Sequence, residues 1–145
     1  MSRKLLIALT AVLATFGTAT TPSEAGGELV VIVNAKNGQS PSLEETKRMF
    51  VGQTMYWPGN LPAHPITRPP ESRAGEGFFK AIQVSPSRFR RIWQEKQLSG
   101  QGQTPETLPT GQAVVAKVAA DPGAIGFAMS DEVPANGSVK VLPLR

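Results

Sequence analysis

The sequence predicts an α/β domain, and three observations carry that prediction. The run Glu28-Leu29-Val30-Val31-Ile32-Val33-Asn34 is short, continuously apolar and β-branched, the pattern of a strand buried on both faces in the middle of a parallel sheet. Capped helix starts come after it at Ser42, near Ser72 and at Ser85. Two more strand-like runs, 124–129 and 139–144, close the chain. The resulting order of strand, helix, strand, three helices and two strands makes a layered α/β architecture.

Ahead of that domain the chain reads as an export leader. Ser2, Arg3 and Lys4 form a basic head, an apolar run covers residues 5–16, and Ser23-Glu24-Ala25 places small residues where a signal peptidase reads. The expected division is a cleavable signal peptide over 1–25 and one domain over 26–145, with a periplasmic product. A spanning helix would need about 20 apolar residues, whereas this run breaks at Gly17, Thr18, Thr20 and Thr21. No membrane insertion is expected once the leader is cut. The chain has no cysteine, so lipid attachment, disulfides and thiolate metal sites are unavailable. The mature segment is long enough for one domain with one modest core.

The formal charge is +4, with 15 basic and 11 acidic residues, and the leader holds two of the former and one of the latter. The mild excess suits an anionic partner or plain solubility, and outside the cytoplasm it does not point to nucleic acid despite Arg88, Arg90 and Arg91. Proline and glycine fall between periodic segments and act as punctuation.

Taken in order, Ser42-Leu43-Glu44-Glu45 is a capping box, so a helix starts there with Leu43, Lys47 and Phe50 on one face and Gly52 at its end. Trp57-Pro58-Gly59-Asn60 is a turn whose tryptophan is expected to pack as a lid over the helix end. His64 to Arg68 is a short strand that must stop at Pro69-Pro70. The helix after Ser72 carries Phe78, Phe79 and Ile82 on one side. The next, opened by Ser85-Pro86, buries Phe89, Ile92, Trp93 and the Lys96 stem, and leaves Arg88, Arg91 and Glu95 in water with an Arg91–Glu95 pair. Residues 98–109 are too polar to bury and are expected to be loop. Residues 112–120 form a helix with Val114, Val115 and Val118 inward, ended by Asp121-Pro122-Gly123, and Asn136-Gly137 turns the chain into the last strand.

These segments resemble, over about residues 29–129, the second lobe of the periplasmic phosphate-binding proteins that feed ABC importers, a type II solute-binding fold. Phe50-Val51-Gly52 with Trp57, Thr67-Arg68 followed by Ser72, the aromatics Phe78, Phe79 and Trp93, and above all Pro122-Gly123-Ala124-Ile125-Gly126-Phe127 carry the resemblance. It implies a single-lobe domain with a mixed, mostly parallel sheet flanked by helices. It also implies phosphate or a related oxyanion as ligand, held weakly by Arg68, Ser72, Arg73 and Thr67. The physics agrees: an arginine fork at a strand end and free N–H groups at a helix N-terminus suit a tetrahedral oxyanion. Without the resemblance, Ser72 is an N-cap and Arg68 a surface base. Around Ser72 this chain has Pro70, Arg73 and Ala74 where the family has an acidic residue, glycine and threonine.

The partners implied are an ABC importer, a sensor ectodomain, or a second lobe or protein that completes the pocket. The alternative function is an adaptor that has kept the fold and binds a sensor or channel protein. No enzyme and no cofactor are expected. His64 is the single histidine and has no nucleophile motif beside it, while the pairs Glu44-Glu45 and Asp131-Glu132 are explained by capping and turn formation. No dinucleotide loop, P-loop or metal spacing occurs.

Overall fold

The computed structural model describes residues 27–144; the expected signal peptide lies outside the described residues. Among the described residues five strands and four α-helices follow in the order β1 (Leu29–Asn34), α1 (Leu43–Phe50), β2 (His64–Thr67), α2 (Arg73–Ile82), α3 (Pro86–Leu98), β3 (Glu106–Thr107), α4 (Gly111–Ala120), β4 (Ala124–Met129) and β5 (Val139–Pro143). They form one open sheet in the order β3-β2-β4-β1-β5. β2 pairs parallel with β3 and β4, while β1 pairs antiparallel with β4 and β5. Every strand but β1 therefore points the same way. β1 lies inside the sheet and is buried as its apolar run predicts, but its pairing is antiparallel, because burial on both faces fixes the composition of a strand and not its direction.

Alternation along the strands feeds two cores. Val31, Val33, Ile125, Phe127 and Met129 face α1, α2 and α3, and Val30, Ile32 and Ala124 face α4. The first core is aromatic. Phe78 stacks on Phe127 with ring centroids 3.9 Å apart and 8° between planes, and Phe50 meets Phe78 at 4.6 Å. Such pairs add about 0.5–1.5 kcal/mol each beyond burial. The second core is aliphatic, with Val114, Val115 and Val118 of α4 against the sheet. Gly126 permits that approach: a Cβ there would lie 2.6 Å from Val114 Cγ1.

The helix ends follow their sequence signals. Ser42 and Glu45 close the capping box at α1, Ser72, Ser85 and Thr110 each cap a helix through the side chain, and Gly52 takes the left-handed conformation after α1 at φ 74°. On α1 the buried residues are Thr46, Met49 and Phe50; Leu43 and Lys47 are only partly covered. Trp57 is buried and its Nε1 donates to the Gly123 carbonyl at 2.9 Å, so it packs as expected and also ties the turn to the start of β4. On α3, Phe89 and Trp93 are buried while Arg88, Arg91 and Glu95 are exposed. The Arg91–Glu95 pair is not among the ion pairs formed between described residues.

One segment expected to be loop holds a strand. Within residues 98–109, Glu106 and Thr107 pair with Ile66 and Thr67. Two polar residues between Pro105 and Pro109 carry no periodicity, and only the open edge of β2 makes them a strand. No helix among the described residues is long and apolar enough to cross a membrane.

Candidate functional site

The C-terminal ends of β2 and β4 and the N-termini of α2 and α4 meet at one corner of the sheet, the place where open α/β sheets hold ligands. β2 stops because Pro69 and Pro70 cannot extend the ladder, which leaves Arg68 at the strand's end. The turn into α2 is tight. Ser72 N–H donates to the Pro69 carbonyl at 2.9 Å, and Gly75 is required because a Cβ there would collide with that same carbonyl.

Arg68 is not a surface base. It is 7% exposed, and its Nη1 donates to Glu132 Oε1 at 3.1 Å while its buried Nε has no hydrogen-bond partner. Glu132 comes from a single 3₁₀ turn, Ser130–Glu132, that folds back from the end of β4. Its Oε1 also accepts from Met129 N–H at 2.8 Å, and its Oε2 accepts from Gly111 N–H at 3.0 Å, at the positive end of α4. A Cβ at Gly111 would collide with the carboxylate, so the glycine is part of its seat. Burial on its own raises the pKa of the Glu132 carboxyl. The bond from Met129 N–H, the Arg68 guanidinium and the Gly111 N–H together outweigh that effect and hold the group below the usual carboxylate range.

The four residues expected to bind a ligand are neighbours in the chain but not equivalent in space. Arg68 and Ser72 share the Pro69 turn. The Ser72 hydroxyl donates to the Pro69 carbonyl at 2.6 Å and accepts from Gly75 N–H at 3.0 Å, so it faces the turn and caps α2. Thr67 is buried, and its Oγ1 pairs with Thr107 Oγ1 at 3.0 Å, which ties β2 to β3. Arg73 is the exposed first residue of α2. Glu132, assigned from sequence to turn formation, is the main partner of Arg68. It lies 64 positions away, with no local pattern to connect them.

The other end of β2 has a concavity of about 500 Å³ whose lining includes Met55, Tyr56, His64, Trp93, Lys117 and Asp121. His64 is half-exposed there, with Nδ1 2.7 Å from Asp121 Oδ2. No nucleophile is bonded to the histidine, and no group of three or more His, Asp or Glu that could hold a metal forms among the described residues.

No protein-family model matches the sequence. No curated protein matches it either. Solved structures do match in fold. A phosphate ABC transporter substrate-binding protein of Clostridium perfringens, with phosphate bound, superposes with a TM-score of 0.64 at 14% identity, over 80% of this chain and 44% of its own. An ABC-type phosphate transport receptor of Vibrio cholerae gives 0.61 at 17% identity, over 80% and 45%. PstS of Borrelia burgdorferi gives 0.62 at 12% identity, over 81% and 47%. The chain thus has the fold of a phosphate-type solute-binding protein lobe and spans less than half the length of each of these structures.

Proposed function

We propose that this chain is a non-catalytic solute-binding lobe, exported to the periplasm, that takes phosphate or a related oxyanion at the Arg68 corner. One observation carries the reading: in a fold shared with phosphate-binding proteins, a buried guanidinium with an unpartnered Nε ends the strand that turns into α2 and shares the Glu132 carboxylate with the first N–H of α4. That setting supplies fixed donors and positive potential to a tetrahedral anion. The Ser72 cap fixes the start of α2, of which Arg73 is the first residue. An importer or a second lobe is the partner this reading calls for.

The Arg68–Glu132 pair favours a second reading, in which the charge at the corner is already balanced and the lobe serves as an adaptor for a sensor or channel protein. Trp57 and Phe127, which an adaptor surface would uncover, are both buried. Calorimetric titration of the purified protein with phosphate and sulfate at low salt separates the two. The control is Arg68→Met with Glu132→Gln, which removes both charges and strands neither. Saturable phosphate binding that disappears in the double variant is the expected result. Absence of heat with either anion at millimolar concentration would refute the oxyanion reading and leave the adaptor.

A further inference from the structure

We infer that Glu132 is a resident anion: its carboxylate fills the seat that the oxyanion would take, and a free ligand binds by displacing it from Arg68. This inference rests on the oxyanion reading and adds to it the residue that sets affinity and selectivity. The donors that converge on Glu132 are a guanidinium and two backbone N–H groups, Met129 and Gly111, the second at a helix N-terminus. These are the donor types that hold phosphate and sulfate in proteins. The seat is built for its occupant, since Gly111 leaves room where any side chain would strike the carboxylate.

The occupant is also on a tether that can move. Its 3₁₀ turn is anchored at Ser130, whose N–H donates to the Glu28 carbonyl at 2.7 Å and whose Oγ accepts from Glu28 N–H at 2.9 Å, but it is closed by a long bond, Val133 N–H to Ser130 O at 3.4 Å, and Asp131 is exposed. Glu132 can leave by rotation of its side chain and of the segment after Ser130, without breaking the Ser130–Glu28 bonds or a strand pair of β4. A displaced carboxylate would leave Arg68 Nη1, Gly111 N–H and Met129 N–H to the ligand, with the orphaned Nε beside them. Competition of this kind weakens all anions. It penalises singly charged ones most, because they must replace a full negative charge with an equal one.

The test is phosphate affinity in wild type and Glu132→Gln, with the backbone amide signals of Gly111 and Met129 followed by NMR in wild type. Glu132→Gln is expected to bind phosphate about tenfold tighter or better, since the competing charge is gone while the side chain's size is kept. In wild type both amides should shift along the phosphate titration. Affinity unchanged or weakened in Glu132→Gln would overturn the inference and leave the oxyanion reading standing. Failure of both proteins to bind at millimolar phosphate would overturn the reading itself. Should the variant not fold, the wild-type amides decide: Gly111 and Met129 unmoved at saturating phosphate would sink the displacement.

Discussion

The two ends of β2 carry the same kind of contact in opposite settings. At its start, His64 meets Asp121, the residue that ends α4. At its finish, Arg68 meets Glu132, which is bonded to the first residue of α4. One short strand is thus pinned to both ends of one helix. The side chains of His64 and Asp121 are 55% and 25% exposed, against 8% and 19% for Arg68 and Glu132. Water screens the first pair and little reaches the second, so only the second can govern stability or ligand selection.

The largest expected effect is at Arg68. Arg68→Ala leaves a largely covered carboxylate without its cation and should cost about 3 kcal/mol in denaturant unfolding. A loss below about 1 kcal/mol would place this pair with the solvated one and erase the difference between the two ends. Next comes Gly111→Ala, which drives a methyl group into the Glu132 carboxylate. Overpacking of that kind costs about 2 kcal/mol. Because it acts through Glu132, its cost should shrink when Glu132 is already alanine, in a double-mutant cycle.

Acid should act on the same end of the strand. The Glu132 carboxyl is held below its unfolded value, so the unfolded chain binds more protons in the acid range. Its contribution is complete above the ordinary carboxylate range and is lost as pH falls through the depressed folded value. Unfolding measured against pH should therefore show a loss of stability in acid that is reduced in Glu132→Gln, and identical profiles would contradict the arrangement. The smallest effect belongs to the exposed end. Asp121→Asn keeps an acceptor for Gly123 N–H and gives up one oxygen of the contact with the half-exposed His64, so its cost should stay within about 1 kcal/mol.

The contrast also marks what the sequence could reveal. Elements governed by local chemistry were legible: the capping box at Ser42, the stop at Pro69-Pro70, the caps at Ser72 and Ser85, and the valine face of α4. Features that depend on distant partners were not. β3 exists because β2 offers it an edge, β1 runs antiparallel because of where the chain returns, and Glu132 reads as a turn residue until the fold sets it against Arg68. The glycine that opens α4 was the one available clue. It lies just ahead of the helix expected over 112–120, and its missing side chain is the space that the Glu132 carboxylate occupies.

Arg68 Nε offers the most direct test of the oxyanion site. The group is buried and has no hydrogen-bond partner, so its N–H should exchange slowly and give a resolved signal in a ¹⁵N–¹H spectrum. Titration with phosphate should move that signal saturably, together with the amides of Gly111 and Met129, while chloride at equal ionic strength leaves it in place. A signal that stays fixed through millimolar phosphate would mean that no oxyanion reaches the arginine, and the corner would then be an internal ion pair alone.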